Sequence, residues 1–284
     1  LSVPTATPVA AAAATAAPAA AATATRPPVT PTAAAAASKG KIVVAITAEP
    51  ATMEMGRSSA QPVNMVLYNI VDMLLFRDPK TQEVRGALAE KWEQAAPDRW
   101  RFTLRKGVKF QDGSPLNAEA VAFNINRLNN EANPDMQLRS FFPDLKEAVV
   151  VDQNTVDLVE KGADPILPVR TLWMPIASQK FIQENAEQIP IRAVGSGPYK
   201  WVEWLKGQYV KLTANPDYWG PPPPVKDITF IWRAETGVRL AMLKAGEINI
   251  AWGLSPENAK QVTAPLKLRS GATNETCLLR LDTT

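Results

Sequence analysis

From residue 39 onward, apolar and polar positions follow two periods. Lys41–Thr47 (KIVVAIT) is a short, β-branched apolar run and predicts a buried strand. A loop follows from Ala48 to Met55. Val63, Val66, Leu67, Ile70, Val71 and Leu74 recur at helical spacing and predict one helix over 63–74, ended by Arg77-Asp78-Pro79. Trp100, Phe102 and Leu104 alternate with Arg99, Arg101, Thr103 and Arg105, which predicts a half-buried strand with a basic outer face. Val108 and Phe110 carry the same period past Gly107. Asp112-Gly113 reads as a turn, and Asn117 as the cap of a helix that turns Val121, Ile125 and Leu128 inward. Val149–Val151 and Val156–Leu158 read as a hairpin. Further strands are expected at Val210 and Leu212, at Ile228, Phe230 and Trp232, and over Ile248–Trp252. A helix is expected over 236–245, containing Val238, Leu240, Ala241, Met242 and Leu243 and stopped by Gly246. Mixed elements with hairpins in the middle predict an α/β fold carrying an inserted, more antiparallel lobe.

The head is different. Residues 1–38 hold 18 Ala, 7 Thr and 6 Pro, with Arg26 the only charge. Such a segment has little to bury, and its prolines break the alanine tracts, so it reads as a low-complexity linker. Thr and Pro interrupt every apolar run, which excludes a membrane span there. A long uncharged tether ahead of a globular body fits a surface-anchored or secreted domain, with membrane contact only through an N-terminal anchor. The chain starts at Leu1 rather than Met and shows no basic n-region or signal h-region, and the expectation is that its true start was removed or never captured. At the other end, Cys277–Leu281 reads as a short strand and Cys277 as a small buried hydrophobe. The foldable body is 39–284, or 246 residues, near the size at which chains divide into lobes.

Charge is nearly balanced, at 31 Lys+Arg against 28 Asp+Glu, with no run of five or six like charges. A nucleic-acid partner is not expected. There is no histidine and one cysteine. That removes Ser-His-Asp and Cys-His catalysis, His- or Cys-cluster zinc sites, iron–sulfur centres and an internal disulfide. A Walker A loop is absent, and Gly195-Ser196-Gly197 lacks the third glycine of a dinucleotide loop. Asp112-Gly113 lacks the remaining positions of a calcium loop. No cofactor or metal is expected. Carboxylate-only chemistry survives this filter, as in glycosidases.

Three segments together resemble one family. They are Ala87–Trp92 continuing through Trp100–Lys106 to Gly107–Val121, then Val194-Gly195-Ser196-Gly197-Pro198-Tyr199, then Asn215-Pro216-Asp217-Tyr218-Trp219-Gly220. In order and spacing they are similar to the family 5 extracytoplasmic solute-binding proteins, the peptide- and nickel-binding receptors of ATP-binding-cassette importers. The resemblance covers 39–284, about the first half of a family member. It implies a periplasmic-binding-protein-like fold of type II, cluster C-like. Residues 39–56 and 193–270 would form lobe I, 57–192 an inserted lobe II, and 271–284 the start of a truncated lobe III. It implies a non-catalytic, monomeric receptor outside the cytoplasmic membrane that captures a peptide or related small solute and passes it to an importer permease. In peptide-binding members an acidic residue of the third lobe holds the ligand's α-amino group, a contact that falls beyond Thr284.

Within that frame six residues are expected at the ligand. Glu49, Thr52 and Met53 follow the first strand at its carboxyl end, the default ligand position in an open α/β sheet, where backbone can pair with a peptide. Trp252 ends a strand beside Gly253, and Trp173 and Phe141 are further cleft aromatics. Each has a plainer alternative, an ordinary loop for the first three and core packing for the aromatics. Gly195–Tyr199 reads as a tight turn or a positioned crossover between lobes. Trp92, Trp100, Trp219 and Trp232 read as core. Two other functions remain: a secreted carbohydrate-active enzyme, for which only Glu49 and Glu54 supply acid near the cleft, and a surface interaction module.

Overall fold

The computed structural model describes residues 40–269. The alanine-rich head, Cys277, its expected strand and the start of a third lobe lie outside the described residues. The first half runs through strand β1 (Lys41–Ile46), helix α1 (Gln61–Leu67), the short strands β2 (Asp72–Met73), β3 (Leu75–Arg77) and β4 (Val84–Gly86), and strands β5 (Ala89–Ala96) and β6 (Arg99–Leu104). Helix α2 (Ala118–Asn129), strands β7 (Leu145–Asp152) and β8 (Thr155–Glu160), helix α3 (Leu167–Arg170), strand β9 (Pro175–Ile176) and helix α4 (Gln179–Glu184) follow. The chain then forms β10 (Tyr199–Leu205), β11 (Tyr209–Ala214), β12 (Asp227–Trp232), helix α5 (Thr236–Lys244), β13 (Ile250–Ala251) and helix α6 (Pro256–Ala259).

The main sheet has the order β10-β11-β12-β1-β13. The apolar run of β1 is central and pairs in parallel with β12, Ile46 opposite Trp232, and with β13, Ala45 opposite Ala251. Strands β10 and β11 add an antiparallel hairpin at one side. A second, wholly antiparallel sheet, β5-β6-β8-β7, comes from the middle of the chain. Its basic face is paired: Arg101 lies opposite Asp157 in the ladder, with Nε and Nη2 donating to the carboxylate at 2.8 and 2.9 Å. Two apolar clusters match the two sheets. One gathers Phe102, Leu104, Val121, Ile125, Val156 and Leu158. The other gathers Val44, Ile46, Tyr199, Val210, Leu212 and Phe230. This is a mixed α/β architecture with an antiparallel insertion.

Several elements depart from the periodicity. Asn117 caps α2 as expected, its side chain accepting from the Ala120 amide at 2.9 Å. The helix expected over 63–74 stops at Leu67, although all six apolar positions are buried. The Ile70 carbonyl instead accepts from the Gly197 amide at 2.8 Å and from Gln111 Nε2 at 3.1 Å, so it cannot continue a helix. Arg77 ends strand β3, not that helix. Helix α1 also packs Val63, Val66 and Leu67 into the main-sheet cluster, although the sequence boundary at 57 groups it with the insertion. On α5 the inward residues are Arg239 and Leu240, while Val238 is 44% exposed, so the face is rotated toward a buried charge. The strand expected over Ile248–Trp252 shortens to Ile250–Ala251.

Candidate functional site

Strands β12, β1 and β13 run parallel, so their carboxyl ends leave the sheet side by side. Three exits result: Thr47-Ala48-Glu49 after β1, Arg233-Ala234 after β12, and Trp252-Gly253 after β13. In an open α/β sheet this crevice is where ligands bind, because backbone groups there have no ladder partner. Main-chain bonds hold the exits to β1 for one further residue. The Arg233 amide donates to the Ile46 carbonyl at 3.0 Å, and the Trp252 amide to the Ala45 carbonyl at 2.9 Å. The Trp252 side chain is 44% exposed, a large apolar surface left facing solvent at this edge.

The β1 exit is built from polar bonds. Glu49 accepts from Trp204 Nε1 at 2.9 Å and from the Gly207 amide at 3.0 Å, tying the exit to the β10–β11 hairpin. Thr52 is buried; its hydroxyl donates to the Pro190 carbonyl at 3.2 Å and accepts from the Glu54 amide at 3.0 Å. The Met53 amide donates to the same Pro190 carbonyl at 2.7 Å, and its side chain is fully buried. The amides of Met53 and Glu54 are therefore already taken. Met53, Met55, Met136 and Met174 line a narrow pocket of about 30 Å³, large enough for water and too small for a peptide.

Phe141 and Trp173 form a separate pair. Their ring centroids lie 6.4 Å apart at 35°, and they are 41% and 49% exposed. Arg170 fixes this arrangement: Nη1 donates to the Phe141 carbonyl at 2.8 Å, while Nε lies 3.0 Å from Asp164. Phe142, by contrast, is buried in the insertion's cluster. Trp92, Trp100 and Trp219 pack against that same cluster and Trp232 against the other, all four partly buried. An open hollow of about 840 Å³ lies on the insertion around Arg139, Lys146, Phe142 and Lys161, away from the strand ends.

Gly195-Ser196-Gly197 is a crossover seated against other backbone. A Cβ on Gly197 would sit 2.6 Å from the Ile70 carbonyl carbon and 2.8 Å from the Val71 nitrogen. Ser196 Oγ donates to Asp72 at 2.9 Å, and Trp219 Nε1 donates to the same carboxylate at 2.8 Å. Gln111 Nε2 donates to the carbonyls of Ile70, Gly197 and Tyr199. The segments at 87–121, 194–199 and 215–220 thus meet at one junction. Among the described residues no group of three or more His, Cys, Asp or Glu is arranged to hold a metal, and no helix is long and apolar enough to cross a membrane.

An α/β sheet with a parallel centre and a large antiparallel insertion is the fold this chain shares with solved peptide-binding proteins. Residues 83–284 match the model of the bacterial extracellular solute-binding proteins, family 5 (middle), and the chain belongs to that family. It is 30% identical over 195 residues to the glutathione-binding protein GsiB of Escherichia coli strain K12, covering 65% of this chain and 37% of that protein. The dipeptide-binding protein of Pseudoalteromonas sp. SM9913, solved with Met-Leu, superposes with a TM-score of 0.71 at 21% identity, over 78% of this chain and 49% of the other. The oligopeptide-binding protein AppA of Bacillus subtilis, solved with a nonapeptide, gives 0.70 at 25% identity, over 78% and 45%. The chain spans just over a third of its curated relatives' length and about half of these solved structures. The relatives are solute-binding proteins rather than enzymes.

Proposed function

We propose that this chain is the first half of a non-catalytic, monomeric receptor that captures a peptide or related small solute outside the cytoplasmic membrane. It delivers the solute to an ATP-binding-cassette importer. In this reading 39–56 and 193–270 form lobe I, 57–192 the inserted lobe II, and residues from 271 on begin a third lobe that closes the crevice. The head is a tether to a membrane anchor. The carrying observation is that the carboxyl ends of β12, β1 and β13 lie side by side, with Trp252 exposed beside them. A solute between lobes stabilises the closed form by its differential affinity for it.

The six ligand residues divide by role. Trp252 stacks on the solute directly. Glu49 holds the β1 exit in shape through Trp204 and Gly207. Thr52 and Met53 act from beneath, since both are buried. Phe141 and Trp173 offer a second aromatic face to longer solutes.

All eight tryptophans lie between 92 and 252, so binding to the full-length protein changes their emission. Titration with glutathione, Met-Leu and a nonapeptide pool is expected to give a saturable change with at least one of them. Trp252→Ala weakens that binding by about 2 kcal/mol, as for a buried aromatic anchor. Flat titrations across all three count against a peptide-like solute.

A further inference from the structure

We infer that Arg239 is a positioning residue for the crevice: its buried guanidinium clamps the carbonyls of Arg233, Ala234, Trp252 and Gly253, and so sets the shape in which two sheet exits meet a solute. The inference rests on reading that crevice as the solute site. It starts from a position where helical periodicity expects a hydrophobe. Arg239 is 1% exposed, on the face of α5 that packs against the sheet. Nε donates to the Trp252 carbonyl at 2.9 Å, Nη2 to Gly253 at 2.6 Å, and Nη1 to Ala234 at 2.7 Å and to Arg233. None of these acceptors is a carboxylate. A cation taken out of water with no carboxylate among its acceptors is costly, and it persists here because the dipoles of four carbonyls converge on it. Burial holds its pKa below the ordinary arginine value.

The placement gives the clamp its consequence. The main-chain ladder to β1 ends at Arg233 and Trp252. Beyond those residues the two exits are joined by the Arg239 fork. The third exit touches them too: Gly253 has φ +67°, and a Cβ there would lie 3.2 Å from Thr47 Cγ2. The fork therefore fixes the segment that carries the exposed Trp252. Lysine cannot replace it, because an ammonium has three donors around a point and the guanidinium has five in a plane.

The test uses the full-length protein labelled with 5-fluorotryptophan, the Trp252 signal being assigned through Trp252→Phe. Arg239→Met is expected to shift the fluorine resonance of Trp252 and weaken solute binding at least tenfold, with Arg239→Lys intermediate in both. Leu240→Ala, a buried neighbour on the same helix, is expected to lower the melting temperature and leave the Trp252 resonance in place. An unmoved Trp252 resonance in a folded Arg239→Lys or Arg239→Met protein overturns the inference. So does an equal shift in Leu240→Ala. If Arg239→Met does not fold, Arg239→Lys decides alone. If the unmodified protein binds none of the solutes, the solute reading fails, while the Trp252 resonance still judges the clamp.

Discussion

Glu160 ends β8 almost wholly buried, with Oε2 lacking a hydrogen-bond partner. Burial first, and then the neighbouring charge of Asp164, push its carboxyl from 4.5 up to about 7. Asp144 adds to the rise, and Arg170 opposes it. A carboxyl raised in the folded state favours folding while protonated. That contribution is complete below the unfolded value and is lost as pH rises through about 7. At about 1.4 kcal/mol per unit, the loss over that interval is on the order of 3–4 kcal/mol. Glu160→Gln should flatten urea-unfolding stability between about pH 5 and 8, and should match or exceed the unmodified protein at pH 8. An unchanged pH slope would mean that Glu160 ionises normally. Sequence gave no access to this residue, since a terminal glutamate in a valine-rich strand reads as solvated. Arg239 was hidden for the same reason. That Trp252 and Glu49 lie beside strand ends was readable, because each follows an apolar run that forms a strand.

At the scale of elements, strands and capped helices were the readable part. Asn117, the alternating Trp100–Leu104 run and the Asp152–Thr155 hairpin turn carry their instructions locally. The helix expected over 63–74 was not readable to its end, because what stops it is the arrival of Gly197 and Gln111 at the Ile70 carbonyl from far along the chain. This yields a contrast between two glycines. Gly113 has φ +84° with open space around its Cβ position, so Gly113→Ala should cost about 1 kcal/mol of backbone strain. Gly197 is pressed against backbone at 2.6–2.8 Å, so Gly197→Ala should cost roughly 3 kcal/mol through forced separation of the crossover. Denaturant midpoints for the two variants check the order. Equal losses would mean that the crossover yields.

At the scale of the molecule, two apolar clusters are tied at one polar junction. Asp72 accepts from Ser196 and Trp219 at 2.9 and 2.8 Å and from Tyr218 at 3.4 Å. Trp219 packs on the insertion's cluster, and Ser196 precedes Tyr199 of the main-sheet cluster. We expect one calorimetric unfolding transition in the unmodified protein. Asp72→Asn sets an amide among three donors, so stability should fall by about 3 kcal/mol and the transition should split in two. A single sharp transition in the variant would show that other contacts couple the clusters.

By itself the sequence determined that the chain builds a mixed α/β body with an antiparallel insertion, without histidine chemistry, because periodicity, caps and composition act over a few neighbouring residues. It also displayed, in three separated segments, the family to which the chain belongs. Only the tertiary structure decided why those segments recur together, where helix α1 ends, which tryptophans stay exposed and why an arginine lies inside α5. The junction, the helix end and the buried arginine each depend on a hydrogen-bond partner supplied from elsewhere in the chain, and no local pattern records which distant group will arrive.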